Sequence, residues 1–223
     1  MRHRTGVLAG AALVLVLSCL PSPAGILACR MTTIHPALWT WVHVFDRRCH
    51  VLWPRYWPGG VTLATARART PGALHVTTGT YHWRGEPIER VRIGRMEILP
   101  QAAHPDWPYL AWRDGQLGAH HAPDPRAAWE MRGGPLLTGG RIVGRSYDAR
   151  VWRATTQRRA VLWVEGGTGF ALLEGHQNLP GVDVLMRQLG YTHAFLLDGG
   201  SSTARWARNP VYLFVFPVGR RLP

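Results

Sequence analysis

Asp198 is the side chain of this sequence best placed for acid–base or electrostatic chemistry. It follows the apolar run Ala194 to Leu197 and precedes Gly199-Gly200-Ser201-Ser202-Thr203. A short apolar run followed by turn residues reads as a buried strand ending in a tight turn. A carboxylate at that point is held by a rigid element while it faces a cleft. Gly199 and Gly200 leave room beside it and permit backbone angles that other residues avoid. Ser201 and Ser202 add hydroxyls that can hydrogen-bond a carboxylate or a sugar. The same residue types also fit an Asx-type turn that only stabilises a hairpin. Glu174 and His176, in Glu174-Gly175-His176 at the end of another apolar run, are the next acid–base candidates. Gly133 and Gly134 could turn two backbone N–H groups toward an anion, or simply open a strand.

These residues need elements to carry them. Val182, Leu185, Met186 and Leu189 recur at i, i+3, i+4 and i+7, which predicts a helix stopped at Gly190. Strands are predicted over Trp39 to Asp46, Val61 to Ala68, Leu74 to Tyr81, Ala127 to Met131, Leu136 to Val143, Val161 to Val164, Phe170 to Leu173 and Tyr212 to Phe216. Arg113-Asp114-Gly115-Gln116 is a hairpin turn between Tyr109–Trp112 and Leu117–His120. Gly79 interrupts its strand, the sign of a bulge or of close approach by a ligand. His120-His121 invites a metal reading, but adjacent residues on a strand point to opposite faces. The expected fold class is therefore α/β in the α+β sense: one mixed, β-sheet-rich domain with few helices.

Helix, short link, strand and Asp198-Gly-Gly-Ser-Ser-Thr together resemble the closing segment of the phosphodiester glycosidase family, the uncovering-enzyme-like domains. Three further segments are similar to that family in the same order: Thr77-Thr78-Gly79-Thr80-Tyr81-His82, Gly133-Gly134-Pro135-Leu136-Leu137 and Arg158-Arg159-Ala160-Val161. The resemblance covers roughly residues 74 to 216. It implies a mixed α/β domain that cleaves a sugar-1-phosphodiester, with Arg158 at the family's arginine and Thr77, Gly79 and Tyr81 in its substrate-binding segment. The chain departs from the family at Thr77, where relatives carry asparagine. That change loses an amide's paired donor and acceptor, and it keeps open a catalytically silent protein that binds glycans or anionic envelope polymers.

The chemistry of that bond fits the residue types. The leaving group is a phosphomonoester with a second pKa of about 6, so it needs less protonation than the alcohol released by common glycosidases. The site must neutralise phosphate, a task for arginine, which grips it with two N–H groups. It must also stabilise an oxocarbenium-like centre and aim a water, tasks for a carboxylate. Arg158, with the Gly133 and Gly134 N–H groups, is expected to hold the phosphate. Asp198 is expected to stabilise the cation or act as base or nucleophile, with Glu174 or His176 as the second acid–base group. Trp83, Trp107, Trp112 and Trp206 are candidates for a sugar-stacking platform. A serine hydrolase using Ser201 or Ser202 is a weaker reading, because the Gly-x-Ser-x-Gly elbow is missing.

The rest of the chain sets the context. Residues 1–28 read as a secretory signal: Arg2 and Arg4, then the apolar run Val7 to Leu17, then small residues. Loose lipobox matches precede Cys19 and Cys29. The expected location is secreted or in the cell envelope, with membrane contact only through the signal or a lipid anchor. Residues 29–60 read as an N-terminal extension and 61–217 as the main domain. Cys29 and Cys49 could close a disulfide in an exported chain, or Cys29 could be lipidated. The formal charge of +13 comes with no lysine at all. The arginines are dispersed and no nucleic-acid module accompanies them, so the expected partners are carbohydrate phosphodiesters or anionic glycans, not nucleic acid. No cofactor is implied; a divalent cation is compatible with the chemistry but nothing indicates one.

Overall fold

The computed structural model describes residues 29–37, 39–99, 104, 106–134, 136–143, 153–220 and 222; the expected signal segment, 1–28, lies outside them. In chain order the strands and helices are β1 (Thr32–Ala37), β2 (Thr40–Asp46), β3 (His50–Val61), α1 (Leu63–Ala68), β4 (His75–Thr78), β5 (His82–Trp83), β6 (Glu86–Pro87), β7 (Val91–Ile93), β8 (Met96–Ile98), β9 (Tyr109–Arg113), β10 (Gln116–His120), β11 (Trp129–Arg132), β12 (Leu136–Thr138), β13 (Arg141–Val143), β14 (Thr156–Trp163), β15 (Gly169–Gln177), α2 (Leu179–Gln188), β16 (His193–Leu197) and β17 (Asn209–Pro217). A 3-10 turn, Gly200–Thr203, lies between the last two strands.

Among the described residues the strands form four sheets: β1-β2-β15-β14-β16-β12-β13, β10-β9-β11-β7-β8, β3-β17-β4 and the small β5-β6. The chain is thus β-sheet-rich with few helices, as expected, but among the described residues every strand pairing is antiparallel, so the sheets are not mixed. The crossover through α2 creates no parallel neighbours. It carries the chain from β15 over β14 to β16, and both flanking strands run antiparallel to the strand between them. Residues 29–60, read from the sequence as an extension, supply β1 and β2 to the large sheet and β3 to the three-stranded one. Cys29 and Cys49 are joined in a disulfide with Cα atoms 5.4 Å apart, which leaves no thiol at Cys29 for a lipid.

Strand alternation divides the large sheet's two faces. Val161, Trp163, Phe170, Leu172, Phe195 and Leu197 bury one face against the other sheets. Ala160, Leu162, Ala171, Leu173, Ala194 and Leu196 bury the other under Val182, Leu185 and Met186 of α2. Helix α2 begins where the Asn178 side chain accepts from the Gly181 N–H at 2.8 Å, and Gly190 turns the chain away at φ +78°. The Asp114-Gly115 hairpin turn has both residues at positive φ, as a two-residue hairpin requires.

One element differs in kind. Val61 to Ala68 was expected to be a strand, yet β3 ends at Val61 and α1 follows. Thr62 caps that helix by accepting from the Thr65 N–H. Alanines at every second position mimic strand alternation while favouring helix.

Candidate active site

Asp198 stands at the end of β16, and the end of β4 holds it there. The Asp198 N–H donates to the Gly79 carbonyl at 2.9 Å, and the Thr78 hydroxyl donates to the Asp198 carbonyl at 2.5 Å. Just past β4, His82 reaches back: its Nδ1 lies 2.7 Å from Asp198 Oδ2. A carboxylate oxygen accepts, so Nδ1 carries a proton, and in the neutral imidazole Nε2 keeps the lone pair. Both side chains are nearly buried, at 12% and 9% exposure.

They line a cleft of about 440 Å³ with Tyr81, Trp83, Arg84, Thr156, Arg158 and the turn Gly199 to Ser202. Strand β14 delivers Arg158. Its register sets Arg159 opposite Leu197, so the preceding residue lies beside Asp198. The Arg158 side chain is anchored by donating from Nε to the Gln177 carbonyl at 3.3 Å and from an Nη to the Ala154 carbonyl at 3.1 Å.

The turn after Asp198 needs both its glycines. A Cβ at Gly199 would sit 2.4 Å from the Gln157 carbonyl oxygen, and Gly200 holds φ +56°. Ser202 N–H closes the turn onto the Gly199 carbonyl at 3.1 Å.

The cleft therefore gathers Asp198, Arg158, Tyr81, Gly199, Gly200, Ser201 and Ser202 from the expected set. It leaves out the rest, for identifiable reasons. Glu174 sits opposite Arg159 in the β14–β15 register and shares its face, the one turned toward the other sheets. Its Oε1 lies 3.5 Å from an Arg159 Nη and 3.4 Å from His75 Nε2. Thr77 belongs to this second group too, its hydroxyl accepting from Arg159 at 3.3 Å. His176 is exposed and lies opposite Gln157, at the same end of the sheet as Asp198, but it is not part of the cleft lining.

Gly79 makes close approach to protein, not ligand: a Cβ there would come within 2.7 Å of the Val211 side chain. Gly133 spends its N–H on the Pro108 carbonyl. Gly134 makes room for the Tyr81 ring, which a Cβ would meet at 2.9 Å. Neither glycine lines the cleft. Of the tryptophans considered for stacking, Trp107 and Trp112 are buried; Trp83, 69% exposed, is at the cleft.

His82 is the site residue that sequence reading passed over. Its signal was its place directly after Gly79-Thr80-Tyr81, but its pairing with Asp198 arises from two strand ends distant in the chain.

The second group has its own electrostatics. Burial alone would raise the Glu174 carboxyl, but neighbouring His75 and the Arg159 guanidinium override it and hold the group down at about 2. Burial and nearby His75 lower His43 from its ordinary value, with Glu174 only partly opposing them.

No protein-family model matches the chain, and no curated protein sequence matches it. Solved structures do share its fold. A hypothetical protein from Synechocystis superposes with a TM-score of 0.64 at 13% identity, over 84% of this chain and 61% of that one. The chain thus spans about three fifths of that protein's length. The zebrafish N-acetylglucosamine-1-phosphodiester alpha-N-acetylglucosaminidase catalytic domain, auto-inhibited by its pro-peptide, superposes with a TM-score of 0.61 at 15% identity, over 84% of this chain and 81% of that one. At these identities the likeness is one of fold.

Proposed function

We propose that this chain is an exported hydrolase that cleaves the glycosidic bond of a sugar-1-phosphodiester. The observation that carries the proposal is the shared cleft: Asp198 paired with His82, and Arg158 on the same lining. The fold shared with the zebrafish enzyme, whose name specifies a sugar-1-phosphodiester, supports the same substrate class. The Cys29–Cys49 disulfide supports an oxidising compartment.

In this mechanism Arg158 receives the phosphate through paired N–H groups. The Asp198 carboxylate, fixed by two strand ends and His82, stabilises positive charge developing at the anomeric carbon. His82 Nε2 takes a proton from the attacking water, and Asp198 holds the imidazole in the tautomer that can do so. One carboxylate suffices because phosphate is a good leaving group; this removes the need for Glu174 or His176, which lie elsewhere. Trp83 offers an apolar face to the sugar at the rim.

The test is release of free sugar from a panel of sugar-1-phosphodiesters by the full chain, with Asp198→Asn, His82→Ala and Arg158→Gln beside it. Loss of turnover in all three supports the proposal; undiminished turnover in Asp198→Asn defeats it. Glycan binding without cleavage across the panel would select the silent binding protein instead.

An Asp198–His82 pair beside Ser201 and Ser202 also supplies the residue types of a serine hydrolase. No hydroxyl-to-imidazole hydrogen bond joins them among the described residues. Covalent labelling of Ser201 or Ser202 by a fluorophosphonate would favour that reading.

A further inference from the structure

We propose that His43, His75 and Glu174 form a binding site for a borderline divalent metal ion of the zinc class, tying the large sheet to the three-stranded sheet. His43 comes from β2, Glu174 from the adjacent β15 and His75 from β4 of the other sheet. Each offers one ligand atom, and these three atoms lie within 4.8 Å of one another.

The pair His75 Nε2 and Glu174 Oε1 is already 3.4 Å apart. Two ligands of a tetrahedral zinc ion, each about 2.0–2.2 Å from the metal, stand at about that separation. With the three atoms within 4.8 Å of one another, the third ligand closes to the same separation of about 3.4 Å by a side-chain movement of at most about 1.4 Å.

Two further observations point to a ligand. The His75 side chain is only 8% exposed, and its Nε2 and Glu174 Oε1 meet only long ion-pair contacts, with each other at 3.4 Å and with Arg159 at 3.5 Å, none of them with the geometry of a hydrogen bond. A buried donor or acceptor left in that state costs about 1–3 kcal/mol, and a bound ion would satisfy both atoms at once. On the other strand, His43 Nδ1 lies 2.9 Å from the Thr33 hydroxyl. A hydrogen bond on one ring nitrogen, fixing the ring while the other binds metal, is the usual support for a ligating histidine.

Two imidazoles and one carboxylate suit zinc, nickel, copper or ferrous iron better than calcium or magnesium. Glu174 remains partly exposed, so water can complete the shell. Arg159 is the competitor, since its Nη lies 3.5 Å from the same Glu174 oxygen. Binding therefore requires the guanidinium to give up that oxygen; the Thr77 hydroxyl it already contacts remains as a partner.

Zinc spacing is absent from the sequence because the three ligands come from three separate strands. His120-His121, the pair that invited a metal reading there, is not among them.

The test uses the tag-free full chain. Cobalt(II) titration is read by visible absorption, and zinc binding by calorimetry. The expected result is one equivalent per chain, with binding weakened at least about tenfold in His75→Ala and in Glu174→Gln. In the unaltered protein, zinc should move the ring-nitrogen NMR signals of two of the eleven histidines; that measurement stands even where a variant fails to fold. Failure to bind, or equal binding by folded His75→Ala and Glu174→Gln, would overturn the proposal. So would zinc-induced shifts confined to other histidines. Sugar release plays no part in these readouts, so their outcome is separate from the hydrolase proposal.

Discussion

Arg158 and Arg159 are covalent neighbours on β14, yet they work in different regions of the molecule. Arg158 lines an open cleft with Asp198 and His82. Arg159, 7% exposed, lies between sheets with Glu174, Thr77 and His75 around it. Each region has an arginine, a carboxylate and a histidine. Exposure does not separate them, since Arg158 is 9% exposed and Arg159 7%; they differ in the cleft that only the first group lines and in what satisfies the acid. In the cleft the acid is aimed at space large enough for a sugar. Between the sheets the acid is held by protein charge, far below its ordinary range, at about 2. The same three residue types thus read as reactive in one place and as structural or metal-binding in the other.

The sharpest way to break this contrast is to remove the cleft's acid. Asp198→Asn is expected to lower kcat for sugar release by about 10²–10³, the range for losing one preorganised electrostatic group. Stopped assays on the purified, folded variant check it.

Next in size is Gly79→Ala. If Gly79 serves packing against Val211 rather than substrate, overpacking should cost about 1–3 kcal/mol of stability. Urea denaturation should record that loss with KM unchanged for the folded fraction.

The acid between the sheets has a pH signature. Its folded pKa is depressed from 4.5 to about 2. The stability it contributes is therefore complete above the unfolded value and drains away as pH falls from about 4.5 toward 2. In metal-free buffer, urea midpoints over that window should fall less steeply in Glu174→Gln than in the unaltered protein. The smallest effect is expected from Trp83→Ala. Losing one stacking face, about 0.5–1.5 kcal/mol, should raise KM several-fold and leave kcat near its starting value.

Much of this arrangement is legible in the sequence. The apolar run before Asp198 and the two glycines after it describe a strand end and a tight turn, and that is their structure. Helix α2 follows from the spacing of Val182, Leu185 and Met186, all buried under the sheet. The strand read from Val161 to Val164 stops short of Arg158 and Arg159, so the fact that these two face opposite ways emerges only with β14, which begins at Thr156.

What sequence leaves hidden is non-local. Gly79 and Gly134 look like ligand-facing glycines because local pattern cannot reveal Val211 or Tyr81 pressing against them. Glu174 ends an apolar run much as Asp198 does, but its register with Arg159 turns it between the sheets. His82 becomes a site residue only once the ends of β4 and β16 are hydrogen-bonded together.

The most direct measurement makes the same substitution at both neighbours, Arg158→Gln and Arg159→Gln, and records kcat/KM and Tm for each. Arg158→Gln should lose about 100-fold in kcat/KM, the worth of a charged contact to phosphate, and its Tm should fall by less than that of Arg159→Gln, because it loses hydrogen bonds to the Gln177 and Ala154 carbonyls but no ion pair to a buried carboxylate. Arg159→Gln should leave kcat/KM of the folded protein within about threefold. Its Tm should drop by about 4–8 °C, as losing about 2 kcal/mol from a mostly buried pair would require. The opposite pattern, activity lost through Arg159 and spared through Arg158, would contradict the assignment of the cleft as the working site.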